Sequence, residues 1–152
     1  MGVKLLTKID ALPTDKKIAG VHCVPFTENG NILMSWDRDE QLLTTIGGRL
    51  EGNESIDQAL EREAMEEVGI LLEEEKIPFA LWNWDSTDSY TIWFLAKVKK
   101  MEPYSFDFEK TGYVSFNFET ALQLIEKIEP NNPKRTNLIK LAEESAKKHN
   151  WL

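Results

Sequence analysis

The stretch GRLEGNESIDQALEREAMEEVGI, residues 48–70, is the most informative part of this chain. Its centre predicts a helix over residues 56–68, because apolar residues recur there with the spacing of one helix face. At about 100° per residue, Glu63 and Glu67 fall within roughly 20° of the first helical residue, in the middle of that face. Glu66 falls at its edge. Three carboxylates are therefore predicted on or beside a face that should pack against a core.

Two interpretations of these acids are possible. A glutamate-rich helix is usually a solvated surface, and that interpretation predicts a Lys or Arg four residues after each acid. The residues four positions after Glu63, Glu66 and Glu67 are instead Glu, Ile and Leu. The acids also crowd towards the C-terminal end, where the helix dipole disfavours negative charge. Because a carboxylate beside a core is costly unless it is compensated, the pattern favours a site that binds divalent metal ions or handles protons.

The spacing of the stretch resembles the Nudix box, G-x5-E-x7-R-E-U-x-E-E-x-G-U, in which U is an aliphatic residue. Every polar and glycine position of the box is matched. Ala64 occupies the aliphatic position that follows Glu63. The matching residues are Gly48, Glu54, Arg62, Glu63, Glu66, Glu67 and Gly69. The surrounding order of predicted elements extends the resemblance over residues 16–150.

The resemblance implies a metal-dependent hydrolysis of a diphosphate bond. By that resemblance Glu63 and Glu67 are the principal ligands of Mg²⁺, or of Mn²⁺ in its place, and Glu66 is a further ligand or the base that activates water. Magnesium prefers oxygen ligands and keeps several waters, which suits shared carboxylates. The ions would neutralise the diphosphate, hold it in line and acidify the attacking water. The family does not use one fixed glutamate as the base, so the base stays open.

The glycine pair supplies the other half of the predicted site. As a local signal it indicates a loop, and the absence of side chains lets the backbone approach metal and phosphate closely. The resemblance implies that the Gly47 carbonyl is a metal ligand and places Gly48 and Arg49 beside the substrate. Arg62 is expected to act with the catalytic glutamates by pairing with Glu54 or another box carboxylate. Glu54 itself is left open between a structural role and a place near the metal and substrate.

Two further expectations concern positions outside the box. Many relatives carry a proline before the glycine pair, whereas this chain has Thr45 and Ile46 there, which is expected to alter the entry loop only. The family often takes another metal-proximal carboxylate from a loop after the box. Glu109 is the first candidate by position, and Asp85 and Asp88 are alternatives whose pattern is that of turn residues.

The substrate is predicted less directly than the reaction. Trp82 and Trp84 alternate on one predicted strand and share a face, and Trp36 and Trp93 lie on other strands. Each tryptophan is a candidate for stacking on a base. In most proteins, however, a tryptophan in such a position is an ordinary core residue. The submotifs of ADP-ribose, dinucleoside polyphosphate and coenzyme A hydrolases are missing or displaced. By elimination a nucleoside triphosphate is the leading substrate, with ADP-ribose, dinucleoside polyphosphates and nucleotide sugars as alternatives.

Composition bounds the class of protein. At 152 residues, with 41% hydrophobic and 10% aromatic residues, the chain fits a single domain, in which residues 1–15 are a loose arm or an edge strand. The net charge of −8, without any basic run, argues against binding a nucleic-acid polymer. One cysteine and no membrane-length apolar stretch lead to the expectation of a cytoplasmic protein that does not contact membranes. Homodimers are common among relatives, but no stripe marks an interface here.

The predicted order of elements is that of the family's α/β/α sandwich with a mixed sheet. Strands are predicted over 18–26 and 32–36, as a hairpin around a turn at 28–31, and over 79–84, 90–98 and 113–116; helices follow at 118–128 and 133–149.

Two rival classes share this fold. A sensor that binds nucleotides without catalysis would be expected to lose box carboxylates, and none is lost. An isomerase of isoprenoid diphosphates would need a catalytic cysteine, whereas Cys23, on an early strand, is expected to be a buried structural thiol. His22 beside it is expected to be structural as well.

Overall fold

The computed structural model describes residues 6–103 and 110–152, which form a mixed β-sheet with helices on both faces. The strands are β1 (Thr7–Lys8), β2 (Lys17–Phe26), β3 (Ile32–Asp37), β4 (Leu42–Thr44), β5 (Ile46–Arg49), β6 (Ile70–Trp84), β7 (Ser89–Met101) and β8 (Lys110–Phe116). The helices are α1 (Ile56–Val68), α2 (Phe118–Ile128) and α3 (Pro133–Lys148). The predicted α/β/α sandwich with a mixed sheet is confirmed.

The sheet runs in the order β1-β6-β7-β2-β3-β4, with β5 paired to β2 and β8 paired to β3. β2 and β7 are parallel, and the other pairs are antiparallel. The predicted hairpin of β2 with β3 is wrong over most of its length, because the two strands share only the pair Phe26 and Ile32. A longer hairpin would need the edge of β2 that pairs with β5. Residues Gly20 to Cys23 of β2 make this pairing.

Helix α1 covers the predicted residues, Ile56–Val68. Ser55 is its N-cap and forms a capping box with Gln58, which satisfies two backbone N–H groups of the first turn. Gly69 ends the helix in the left-handed conformation, at φ 67°, which glycine adopts without steric cost. These caps fix the phase of the helix and hence the face that carries its glutamates.

The core has two layers, one on each face of the sheet. Ala59, Leu60 and Ala64 of α1 pack on one face together with Val21 and Ile46. The other face is covered by α2 and α3, whose packing side chains are Phe118, Ala121, Ile125, Leu138, Ile139, Ala142 and Ala146. Successive residues of β2 point to opposite layers, so neighbours on this strand have different surroundings.

Two segments differ from the sequence prediction. β6 begins at Ile70 rather than near Phe79, and its ladder with β7 is irregular between Leu72 and Lys76, where three exposed glutamates hide the strand pattern. Residues 46–49, expected as a loop because of their two glycines, form β5. Thr7 and Lys8 pair with the edge of β6, so this part of the N-terminal segment is an edge strand.

Candidate active site

Glu63 of α1 lies against the backbone of β5. A Cβ built on Gly48 would lie 2.5 Å from Glu63 Oε1, so the carboxylate occupies the space that any side chain at that position would need. The Glu63 side chain is only 15% exposed. Burial raises the pKa of this carboxyl, and the hydrogen bond from Arg62 opposes that rise.

Glu67 lies one helical turn further along, beside the first glycine of the pair. Its Oε2 accepts a hydrogen bond of 2.9 Å from the Gly47 backbone N–H. A Cβ on Gly47 would lie 2.2 Å from the Val21 carbonyl oxygen, so no other residue fits between β2 and β5 here. The glycine pair thus brings bare backbone against Glu63 and Glu67, two of the four box glutamates.

Arg62 holds the box together from the side of the helix. Its Nε donates to Glu54 Oε2 at 2.7 Å, and its Nη1 donates to Glu63 Oε1 at 2.9 Å and to Glu66 Oε2 at 3.1 Å. A further bond from Nη2 reaches the Arg49 carbonyl. The search for a basic residue four positions after each acid missed Arg62, whereas the expected pairing of Arg62 with Glu54 or another box carboxylate is present.

Glu54 belongs to this clamp. Both of its oxygens accept from Arg62, and Oε1 also accepts from the Glu51 backbone N–H at 2.7 Å. The Arg62 hydrogen bond is the main reason that the pKa of Glu54 is lowered. Its contacts are those of a residue that closes the loop before α1.

The donors are of the type that a hard divalent cation prefers. Glu63, Glu66 and Glu67 offer carboxylate oxygens from one helix, beside a glycine backbone that no side chain covers. Within residues 6–103 and 110–152, no three His, Cys, Asp or Glu side chains converge as a finished metal site. Glu63 is instead turned to Arg62, and Glu67 to the Gly47 amide. The carboxylate oxygens fit Mg²⁺ or Mn²⁺. Hydrogen bonds from Arg62 and from the Gly47 N–H fix the positions of Glu63, Glu66 and Glu67.

Two grooves meet beside the glycine pair. The first, the Lys134 groove, has a volume of about 350 Å³ and reaches Glu67 at one side. Its lining includes His22, Thr45, Gly47, Trp93, Lys110, Lys134 and Arg135. The second, the Trp84 groove, has a volume of about 360 Å³, and its lining includes Gly20, His22, Gly48, Arg49, Trp84 and Thr91. His22 lines both.

The Lys134 groove is lined by three cationic side chains, which differ in their acidic partners. Lys110 is bound to Asp37 Oδ2 at 3.0 Å, and Arg135 is paired with Glu129. Lys134 has no acidic partner in the part of the chain that the structure describes. Its Nζ lies 3.9 Å from the ring centre of Trp82, and burial lowers the pKa of this lysine. An uncompensated cation therefore faces the groove that ends at Glu67.

His22 stacks on Trp93, with ring centres 5.5 Å apart. Thr45 Oγ1 contacts His22 Nδ1 at 3.0 Å and accepts from Trp93 Nε1 at 3.2 Å. Burial lowers the pKa of His22 to about 4, and the charge of Lys110 acts in the same direction. The imidazole is therefore uncharged at neutral pH.

This shift predicts a loss of stability in acid. The folded-state pKa of His22 lies below the ordinary value of 6.5, so the unfolded chain binds more protons as the pH falls from 6.5 towards 4. We expect His22 to reduce the free energy of unfolding by about 2 kcal/mol between pH 7 and pH 5. Urea unfolding of wild type and His22→Gln in metal-free buffer at both pH values measures this. Equal pH dependence in the two proteins would contradict the prediction.

The predicted substrate residues fall into two groups. Arg49 and Gly48 line the Trp84 groove, where Trp84 is 42% exposed and donates to Thr91 Oγ1. Trp82 lies 6.1 Å from Trp84, under Lys134. Trp36 instead packs against the core cluster under α2 and α3 and lines neither groove.

Neither Asp85 nor Asp88 forms a metal-binding group with the glutamates in the described part of the chain. Asp88 lies in the turn between β6 and β7, with φ 49°, and pairs with Lys16 at 2.9 Å. Asp85 belongs to the same turn. Glu109 lies outside the described residues.

His22, Thr45, Lys110, Lys134 and Arg135 of the grooves were not identified as site residues from the sequence. Thr45 and Ile46 stand before the glycine pair, where the resemblance leads to the expectation of a proline, and this departure is the one local sign at Thr45. The lysines and the arginine carry no such sign, because single basic residues on strands and helices are common on any surface.

The fold and the box are shared with a known family. The chain matches the NUDIX domain over residues 16–139. Since this match covers most of the chain, the protein belongs to the NUDIX domain family, and the predicted resemblance is confirmed. The family makes it a pyrophosphohydrolase.

Solved structures of Nudix proteins have the same fold. An ADP compounds hydrolase aligns with a TM-score of 0.68 at 18% identity, over 92% of this chain and 77% of the other. A NUDIX hydrolase from Nitrosomonas europaea aligns with a TM-score of 0.64 at 20% identity, over 86% of this chain and 90% of the other. The E. coli ORF135 protein aligns with a TM-score of 0.60 at 25% identity, over 85% of this chain and 90% of the other. No curated protein sequence matches the chain significantly.

Within residues 6–103 and 110–152, no helix is both long and apolar enough to cross a membrane.

Proposed function

We propose that this protein hydrolyses a nucleoside triphosphate to a nucleoside monophosphate and pyrophosphate, with a divalent cation held by Glu63, Glu66 and Glu67. One observation carries the proposal. The box glutamates meet the bare backbone of Gly47 and Gly48 at the end of a groove that contains Lys134, which has no acidic partner among the described residues. This juxtaposition supplies carboxylates for the metal and a cation for the phosphates.

The chain's own residues set the geometry of this reaction. The Gly47 N–H holds Glu67, and Arg62 holds Glu63 and Glu66. Bound Mg²⁺ or Mn²⁺ would neutralise the diphosphate and lower the pKa of a bound water. One box glutamate then takes the proton of the attacking water, and Glu66, 60% exposed, is the most open of those held by Arg62.

Lys134 supplies a cation for an anionic substrate in a groove that Glu40, Glu67 and Glu129 also line. The chain as a whole has a net charge of −8, which repels nucleotides at long range. Lys134 is held over Trp82 without an acidic partner among the described residues, so it loses little by turning to a phosphate. The same groove offers Trp93 for contact with a base, and the exposed Trp84 lines the neighbouring groove.

We expect Lys134→Met to raise KM for the preferred nucleotide about tenfold while kcat changes little, because a hydrogen bond to a charged group is lost in ground and transition states alike. Steady-state kinetics at constant ionic strength measures this. Lys140→Met removes the same charge from an exposed position of the same helix and serves as the control. If both variants have equal KM values, Lys134 does not bind the phosphates.

A second candidate is favoured by the Trp84 groove. Because this groove continues the first one beyond Gly48, a diphosphate placed at the glycine pair has space for a bulky group on either side. Such a substrate is a nucleoside diphosphate joined to a sugar or a second nucleoside, as in ADP-ribose. One of the aligned structures is titled an ADP compounds hydrolase, and at 18% identity it shares the fold.

Product analysis distinguishes these candidates. Purified protein with Mg²⁺ or Mn²⁺ is incubated with nucleoside triphosphates, oxidised purine triphosphates, ADP-ribose, dinucleoside polyphosphates and nucleotide sugars, and the products are identified by mass spectrometry. Glu67→Gln provides the blank. Release of pyrophosphate from a triphosphate supports the first candidate, and cleavage of ADP-ribose or a dinucleotide alone supports the second. No cleavage of any compound would refute both and return the nucleotide sensor as the better interpretation.

A further inference from the structure

The two grooves beside the glycine pair differ in the aromatic surface that they offer. Each has one tryptophan in its lining among the described residues, Trp84 in one groove and Trp93 in the other. Trp93 is only 6% exposed, and His22 stacks on it with ring centres 5.5 Å apart. Trp84 is 42% exposed. The planar ring of a ligand therefore finds an open indole surface at Trp84 and little free surface at Trp93.

The orientation of the Trp84 ring is fixed by a hydrogen bond. Its Nε1 donates to Thr91 Oγ1 at 2.8 Å, and Trp82 lies edge-on to the ring with centres 6.1 Å apart. Because Nε1 is the only polar atom of an indole, the exposed part of Trp84 is a planar apolar surface. Such a surface binds a nucleobase by stacking, whatever the identity of the base.

The floor of the Trp84 groove leads from this ring to the glycine pair. Arg49 of β5 pairs with Gly20 of β2, and Gly20 pairs in turn with Thr91 of β7. Gly20 has no side chain, so space is left above it; a Cβ there would lie 3.1 Å from Thr91 Oγ1. A ligand can therefore lie across these strands with one end at Arg49, next to Gly48, and the other end at Trp84.

Charge does not decide which half of the substrate enters which groove. Arg49 and Lys134 line different grooves, and neither has an acidic partner within the part of the chain that the structure describes. Both side chains can therefore hold a phosphoryl group. The open aromatic surface, in contrast, is present on one side only, and a nucleoside has a planar ring to place there whereas a phosphate group has none.

We propose that the nucleoside half of the substrate binds in the Trp84 groove, with its base stacked on Trp84 and its phosphoryl group beside Arg49. The pyrophosphate half then lies on the side of Lys134. This inference rests on the proposed function, because it needs a diphosphate bond at the glycine pair, and it adds the direction in which the substrate lies. Hydrolysis leaves the nucleoside monophosphate in one groove and pyrophosphate in the other.

Binding of the two products tests this direction without turnover. Isothermal titration calorimetry in the presence of Mg²⁺ uses AMP, GMP, CMP and UMP for the nucleoside half and inorganic pyrophosphate for the other half. We expect Trp84→Ala to weaken binding of the tightest-bound monophosphate about 10- to 100-fold, because stacking on the base is lost. Binding of pyrophosphate should be unchanged in this variant. Lys134→Met should show the reverse, with weaker binding of pyrophosphate and unchanged binding of the monophosphate.

Two controls separate stacking from other effects of the substitution. Trp84→Phe keeps an aromatic face without the hydrogen bond to Thr91, and it should bind the monophosphate nearly as tightly as wild type. Ribose 5-phosphate lacks the base, so it should bind equally to wild type and to Trp84→Ala. Since Trp84 lies at the surface, Trp84→Ala should fold normally, and urea unfolding at pH 7 checks this.

Three results would overturn the proposal. The first is a Trp84→Ala variant that binds the monophosphate as wild type does, and the second is an equal loss of monophosphate and ribose 5-phosphate binding. The third is a wild-type protein that binds none of the four monophosphates. Failure of the proposed function is a separate result, because it is read from the product panel. A wild-type protein that cleaves no triphosphate, yet binds a monophosphate through Trp84, refutes the proposed reaction and supports the nucleoside site.

Discussion

Glu67→Gln is expected to lower kcat by about 10²- to 10⁴-fold, which is the range for loss of a group that handles protons or charge in the transition state. The substitution removes the negative charge that would hold a cation. The remaining carbonyl oxygen of the amide still accepts from the Gly47 N–H, so the local structure is kept. Single-turnover kinetics with Mg²⁺ measures the effect on chemistry.

The control for this prediction is stability. Because Gln has the shape of Glu and keeps the 2.9 Å bond to Gly47, the midpoint of thermal unfolding in metal-free buffer should change little. If Glu67→Gln loses activity and its midpoint of thermal unfolding also falls sharply, the role of Glu67 is structural. A variant that retains wild-type kcat would refute the assignment of Glu67 to the site.

Gly47→Ala is expected to lower the free energy of unfolding by about 3 kcal/mol, because the added methyl group cannot be accommodated without separating two strands. The new Cβ would lie 2.2 Å from the Val21 carbonyl oxygen and 2.5 Å from His22 Cα, and both are backbone atoms. Backbone atoms paired in a sheet cannot rotate away as a side chain can. Chemical denaturation at pH 7 gives the magnitude.

Gly48→Ala is the matched control for that result. Its Cβ would meet Glu63 Oε1 at 2.5 Å, which is the far end of a side chain rather than backbone. The carboxylate can swing away at smaller cost, so we expect the fold to survive better than in Gly47→Ala while activity falls. If the two variants lose equal stability, the contact at Gly47 is not the steric limit described here.

The local part of the site was predictable from sequence. Helix α1 runs from Ile56 to Val68 as its periodicity predicts, and Ser55 and Gly69 cap it as their residue types indicate. Such signals depend on residues within one or two turns of each other. The face that carries Glu63 and Glu67 followed from the same periodicity, because helix geometry leaves no freedom once the ends are set.

Other parts of the site were beyond local reasoning. Two glycines look like a loop, yet pairing with β2 makes residues 46–49 a strand, and that pairing partner lies more than twenty residues earlier in the chain. Arg62 reaches Glu54 across eight positions because the loop before α1 folds back on the helix. The rule of four residues, applied only forward from each acid, could not find this partner.

The sequence by itself determined the family, the reaction class and the helix that carries the acids, since all three depend on residue types at fixed local spacing. Only the tertiary structure brings together the groove in which we propose that the substrate binds. His22, Thr45, Trp93 and Lys134 come from four separate segments and meet around one groove. Contacts between distant segments leave no periodic trace in the sequence, because they arise from the packing of whole strands and helices against one another.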